Sequence, residues 1–357
     1  MEYSIIEFNH GTDKLNKYIT GIKNNRELFA KIKRISGHIS SDEYEIFEDI
    51  KQQLKFNFDK DIRIYEYTSI IINLYGLFER YIENSIIEYI DFLKKSIPKY
   101  SSLPVEIINN HYELSAQLIS SLNLPKYKDI ITKETIISNL YSCANCKGDK
   151  KYRLNSEAFT QHSYNFRGKS LNEFFKTVGI SNLTSLLKQS NGTFRKYLDE
   201  IEIPVENCFD ILDDLAERRN RISHGAEEDD ILGIDELSRY MDYINNLVKS
   251  INDLLNVQLI PYLIEKGDNL IEVGTPFKQI TDKIVGIKLS NINLNKGDKI
   301  FIDKGQSDYS YAVIQSMQIN NESYDNLEIN GEGGIDVGIG FDCKVTPGYT
   351  LYMITTN

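Results

Sequence analysis

The spacing of apolar residues changes character once, near Gly267, and that change limits the folds open to this chain more than any other feature. On the N-terminal side, large apolar side chains recur every three or four residues, the period of a helix with one buried face. On the C-terminal side they fall in short runs rich in β-branched and aromatic residues, separated by clusters of Gly, Asn and Asp. The chain therefore reads as an α part followed by a β part. Its 357 residues, at roughly 100–200 residues per domain, leave room for one core in each.

The longest candidate helix carries Tyr67, Ile70, Ile71, Leu74, Phe78, Tyr81 and Ile82 at helical spacing and ends near Pro98. So broad a stripe predicts the central helix of a bundle. Upstream, Ser40 with Glu43 forms a capping-box pattern ahead of Tyr44, Phe47 and Ile50. Further helical patterns cover residues 105–122, 133–141, 171–178, 205–224 and 234–264. Between Cys143 and Gly168 the period fades, which predicts a looser insertion at about 143–168 in a helical domain spanning 1–265. Strand patterns at 280–289, 299–303, 311–319, 334–340 and 349–354 predict a small β-barrel or sandwich over 268–357.

Composition narrows the setting. Hydrophobic residues at 41% and charged residues at 26% describe an ordinary globular chain. The longest apolar stretch, around Ser69–Phe78, is far short of the roughly 20 residues of a membrane span. Glu2 and Glu7 stand where a secretory signal needs cations and an apolar run. Four cysteines are too few for a disulfide framework in a chain of this length. A cytoplasmic protein without membrane association is expected. The net charge of −11 argues against a protein that grips long duplex DNA, because such binding depends on neutralising phosphates. A local basic cluster could still receive a strand.

The stretch from Ala216 to Gly225 carries the most chemistry. It closes the predicted helix at 205–224, and Arg219 continues an apolar stripe four residues after Leu215 and three before Ile222. A guanidinium on such a stripe is costly unless it is paired or aimed at an anion. Asn220 and His224 are four residues apart and share a face. His224 precedes Gly225 at the helix end, where the carbonyl groups favour a protonated ring. An arginine that neutralises a phosphate beside a histidine that exchanges a proton can cleave RNA. The ribose 2′-hydroxyl is the internal nucleophile, so neither metal nor cofactor is required. The plain alternative is a helix end whose histidine pairs with the acids at 227–230.

The segment Arg219-Asn220-Arg221-Ile222-Ser223-His224-Gly225 resembles the signature of the HEPN superfamily, the "higher eukaryotes and prokaryotes nucleotide-binding" domains, in which Arg-x4–6-His closes a bundle helix. Leu74-Tyr75-Gly76-Leu77-Phe78-Glu79-Arg80-Tyr81 is similar to the early helix of large bacterial HEPN proteins of defence systems, which often carry an acidic residue there. The resemblance covers about residues 60–265. It implies an endoribonuclease, acting as a toxin or anti-phage effector, that leaves a 2′,3′-cyclic phosphate and works as a homodimer, with tRNA the foremost substrate. It assigns acid/base work to His224, phosphate binding to Arg219 and orientation to Asn220, with Glu79 holding Arg219 or His224. Arg218 also satisfies the spacing, as x5, so the phosphate ligand is one of these two arginines; Arg221 is a further candidate RNA contact.

Other features extend this picture. Residues 147–176 hold seven basic and three acidic residues, a local +4. Lys150, Lys151, Arg153, Arg167 and Lys169 are candidate RNA contacts there, with Tyr152, Phe159, Tyr164 and Phe166 as stacking platforms or as ordinary core. His162 in the same segment reads as a surface or structural residue. Cys143-Ala144-Asn145-Cys146 is half of a zinc ribbon without a second half, so no metal site is expected. Leu294–Ile302, with its Gly297-Asp298 turn, and Val313–Ile319 resemble strands of domain 2 of translational GTPases such as elongation factor Tu, as do Asp336–Ile339 and Thr346–Tyr352. A β-barrel for targeting or regulation is implied. No phosphate-binding GxxxxGK[ST] loop occurs. Residues 268–357 carry twelve acids and seven bases, which disfavours a phosphate-tracking surface and favours a protein partner (translation-related, phage or antidote) or recognition of a tRNA end by shape at the barrel. A non-catalytic binding or sensor protein built on the same two parts is the alternative.

Overall fold

The computed structural model describes residues 2–35, 48–53, 59–146, 151–189, 192–225, 230–266, 270–306, 308–331 and 333–354. The helices are α1 (Tyr3–Ile35), α2 (Lys60–Ser96), α3 (Val105–Ser121), α4 (Lys133–Ala144), α5 (Gly168–Lys176), α6 (Leu183–Leu187), α7 (Thr193–Glu200), α8 (Asp210–Ser223) and α9 (Ile234–Lys266). Residues 48–53 are also helical, whereas Ser40, Glu43, Tyr44 and Phe47 lie outside the described residues.

The predicted stripe runs down the middle of α2. Tyr67, Ile70, Ile71, Leu74, Phe78, Tyr81 and Ile82 are all buried, and so is Tyr75 next to Leu74. Each such side chain contributes about 1.5–3 kcal/mol of transfer free energy, which makes α2 the axis of the helical core. Glu88 of α2 also closes the open end of α1. Its carboxylate accepts from the N–H groups of Glu2, Tyr3 and Ser4 and from the Ser4 hydroxyl. Burial pushes this carboxyl up, but the bonds from Ser4 outweigh it and hold Glu88 below the usual range.

Residues 151–168 are not a loose insertion. Tyr152, Leu154, Ala158, Phe159 and Phe166 are buried, and Ser156–Thr160 form a 3₁₀ turn. The helical period is missing because side chains carry the hydrogen bonds that a helix would make within its own backbone. Asn155 donates its N–H to His111 Nε2 at 3.0 Å and its amide to Ser115 Oγ at 2.9 Å, and it accepts from Asn139 at 2.8 Å. Helix α8 begins at Asp210, not at 205: a 3₁₀ turn at Val205–Asn207 follows Pro204, and the helix starts only after it.

Helices up to Asp91 and from Leu103 to Asn252 form one compact unit; Phe92–Ser102 and the chain from Asp253 onward form a second. The predicted division at 265–268 marks the change of secondary structure, thirteen or more residues beyond Asn252, where the first unit ends.

The second unit holds the strands β1 (Leu270–Gly274), β2 (Lys278–Thr281), β3 (Ile284–Leu289), β4 (Ile292–Asn295), β5 (Lys299–Asp303), β6 (Tyr309–Ile319), β7 (Glu322–Tyr324), β8 (Asn326–Ile329), β9 (Ile335–Phe341) and β10 (Thr350–Ile354). They pair antiparallel in the order β1-β10-β5-β6-β9-β3-β2, with β7 on β6 and a separate β4–β8 pair. The hydrogen-bonded path ends at β1 and β2 and does not return on itself. The expected β-barrel is thus an antiparallel sheet domain that is not closed. Its core draws on Val285, Ile287, Leu294, Ile300, Ile314, Met317, Ile339 and Leu351. Asp253, almost fully buried, takes an ion pair from Lys299 and a hydrogen bond from the Tyr311 hydroxyl. Among the described residues no helix is long and apolar enough to cross a membrane.

Candidate active site

The two adjacent arginines of α8 have opposite environments. Arg218, not Arg219, is the core-facing guanidinium, only 7% exposed. Its Nε donates to Asp214 at 2.6 Å, one terminal nitrogen to the Tyr67 hydroxyl and the Asp230 carbonyl, and the other to the Asp230 carboxylate at 3.2 Å. Burial lowers its pKa, yet the bonds to Tyr67 and Asp214 more than reverse this and lock the charge on. Arg218 therefore ties α8 to α2 and to Asp230, and it is not a free RNA contact. The acidic stretch after Gly225 gains a purpose at Asp230; residues 226–229 lie outside the described residues.

Arg219 is half-buried and meets neutral partners. Its guanidinium lies 5.4 Å from the centre of the Tyr75 ring, within cation–π range. One terminal nitrogen donates to Asn165 Oδ1 at 3.4 Å. Asn165 in turn donates its amide to Asn220 Oδ1 at 2.9 Å. His224 is the C-cap of α8 and is exposed; its backbone N–H reaches the Asn220 carbonyl at 3.1 Å. Gly225 follows with φ of +70°, which ends the helix in the left-handed region.

The segment before α5 holds Asn165 against this helix. Phe166 is fully buried and donates its N–H to the Tyr75 hydroxyl at 2.7 Å. Ser170 accepts the Arg167 N–H and donates to the Asn165 carbonyl, capping α5 and fixing the turn. Gly168 donates its N–H to Asp213 of α8 at 2.9 Å, so close that a Cβ would fall 2.7 Å from the Phe209 ring. Glycine is required there by the approach of the two helices.

Glu79 of α2 is half-buried beside these groups. Burial raises its carboxyl above the ordinary range; the charges of His162 and Arg219 counteract this and that of Glu83 adds to it. His162 is enclosed by Phe166, Phe174 and Tyr164. Its Nδ1 faces the Tyr164 carbonyl and its Nε2 faces Glu83, each at 2.8 Å. Lys126 completes the pair by donating to Glu83 at 2.5 Å.

The remaining sequence-predicted contacts scatter. Lys151, Arg153 and Lys169 are exposed, and Arg221 is half-buried in the last turn of α8. Arg167 is paired with Glu217 at 2.6 Å. Lys150 lies outside the described residues. Of the four aromatics considered as stacking platforms, Tyr152, Phe159 and Phe166 are core residues and only Tyr164 is exposed. Cys143 is buried against the Arg153 carbonyl, and burial pushes its thiol up. Among the described residues no group of three or more metal-ligating side chains comes together.

Sequence reasoning missed Asn165 and Tyr75 as members of the site. Tyr75 was legible as the residue beside Leu74 on the central stripe. Asn165 had only the Ser170 capping pattern to mark it, since no spacing relates it to α8.

A helical unit whose long central helix packs on a shorter one closed by Arg219-Asn220 and His224 is a domain of the HEPN type. Residues 38–257, well over half of the chain, match the RiboL-PSP-HEPN family model, and the chain belongs to this family. The match ends before β1, so it says nothing of the sheet domain, and nothing specific to a translation-factor barrel is found there. No curated protein matches the chain. Membership points to a function of the ribonuclease or nucleotide-binding type.

Proposed function

We propose that the helical unit is an endoribonuclease that cuts RNA by attack of a 2′-hydroxyl on the adjacent phosphorus. As the O2′–P bond forms, the hydroxyl gives its proton to a base. As the P–O5′ bond breaks, O5′ takes a proton from an acid. The products are a 2′,3′-cyclic phosphate and a 5′-hydroxyl end. His224 exchanges the proton, while Arg219 and Asn220 neutralise and orient the phosphate oxygens.

The single observation that carries this reading is the division of labour between the two arginines. Arg218 is consumed by carboxylates, whereas Arg219 meets an amide and an aromatic face and keeps its charge for a ligand. One histidine cannot be base and acid at the same instant. A homodimer that brings two copies of α8 to one cleft resolves this and is part of the proposal. So are a cytoplasmic setting, tRNA as substrate, a toxin or defence role, and a protein partner at the sheet domain.

The test is end-group analysis of RNA incubated with wild type and His224→Ala. The expected result is 2′,3′-cyclic phosphate ends with wild type and none with the variant. Equal cleavage by both removes His224 from the chemistry. Intact RNA with both favours a binding or sensor protein.

A further inference from the structure

The hydrogen bonds among Arg219, Asn165 and Asn220 have a direction that follows from arginine alone. A guanidinium only donates, so the Asn165 atom facing Arg219 must be its amide oxygen. That leaves the Asn165 NH₂ facing Asn220, and the Asn220 atom receiving it must again be the oxygen. The Asn220 NH₂ is thereby turned away from Asn165. It makes no hydrogen bond to a described residue, and neither do the other N–H groups of Arg219.

We infer that Asn165 is a positioning residue: it turns the Asn220 amide so that, beside the Arg219 guanidinium, only N–H donors remain to receive a phosphodiester oxygen. The inference rests on the RNA-cleaving reading for its substrate, but the donor-only seat is a property of the three side chains. Their scaffold suits the task. Asn165 is held at its carbonyl by Ser170, its neighbour Phe166 is anchored on Tyr75, and Arg219 lies over the same tyrosine ring. Burial raises the Glu79 carboxyl above the ordinary range and favours its neutral form, although the Arg219 charge acts against this.

Asn165→Asp tests this with almost no change of shape. A carboxylate only accepts, so the Asn220 amide must reverse and present its oxygen to the ligand, and Arg219 gains an ion pair. The probe is a short 2′-deoxy oligonucleotide, which cannot supply the attacking hydroxyl. Its affinity is expected to fall about 10- to 150-fold, the range for losing a charge-assisted hydrogen bond, with thermal stability unchanged. In an Asn220→Ala background the same substitution should cost far less, because only the effect through Arg219 remains. Equal costs in the two backgrounds, or unaltered affinity, overturn the proposal. Should Asn165→Asp unfold, the Asn220 side-chain amide resonance of wild type is followed by NMR during titration with the same strand. It is expected to shift on binding; a strand that binds without moving it, or that does not bind, refutes the inference. Wild type that binds the deoxy strand but leaves RNA uncut rejects the cleavage reading and leaves the seat standing.

Discussion

Replacing Arg218 and Arg219 separately by methionine separates folding from chemistry at adjacent positions. Arg218→Met keeps the stem but removes the hydrogen bonds to Asp214, Tyr67 and Asp230. Breaking a buried ion pair from one side costs about 3–5 kcal/mol when the abandoned charge stays buried. Here the Asp214 and Asp230 carboxylates are 41% and 79% exposed and can rehydrate, so the cost falls around and below the lower end of that range. We expect a loss of about 2–4 kcal/mol. At roughly 2–4 °C per kcal/mol for a unit of this size, the melting temperature should fall by about 5–15 °C. Arg219→Met gives up one long hydrogen bond to a neutral amide and a cation–π contact worth about 0.5–1 kcal/mol. Its melting temperature should stay within about 3 °C of wild type, while binding of an RNA strand collapses. The assay is thermal denaturation of both variants, then strand affinity at a temperature where both are folded. A large drop in stability for Arg219→Met, or none for Arg218→Met, would show that the two roles have been assigned the wrong way round.

Three further outcomes are expected. Burial lowers His111 to about 4, so between the unfolded value near 6.5 and about 4 the unfolded chain binds a proton that the native state refuses; stability is complete above that window and declines as pH falls through it, by about 2–3 kcal/mol at pH 4.5. His111→Gln keeps an acceptor for the Asn155 N–H and cannot titrate, so denaturant midpoints at pH 7 and 4.5 should differ less in the variant, and undiminished acid sensitivity would count against the assignment. Gly168→Ala drives a methyl into Phe209 and should cost about 1–3 kcal/mol while loosening the Asn165 turn, read as a lower melting temperature together with weaker strand binding. Because burial raises Glu79, its proton persists above the ordinary carboxylate range; in Glu79→Gln the inflection it places on the acidic limb of the cleavage pH profile should vanish, and an unchanged profile would remove Glu79 from the site.

Much of the fold could be read in advance where one period dominates. The stripe from Tyr67 to Ile82 is seven large side chains on one face, and burying it leaves α2 no place but the centre. Helix α1 escaped because its exposed charged surface dilutes a thin apolar face, and its start is capped by Glu88, eighty-odd residues away. Strands β4, β7 and β8 escaped because three or four residues beside turns are too short for alternation to register, and β1 because its five residues LIEVG place only Val273 in the core. Sheet closure was also beyond local patterning, since identical alternation serves a barrel and an open sheet; only the partners of β1 and β2 decide.

Local chemistry along the chain settled that α8 would end at Gly225 with an arginine, an amide and a histidine on its last turns, because helix period and C-cap preference act over a few residues. Which arginine would be spent on the core was left to tertiary packing. Arg218 and Arg219 differ by 100° around the helix, and only the positions of Tyr67, Asp230, Tyr75 and Asn165, brought in from distant segments, give one a set of carboxylates and the other an open face.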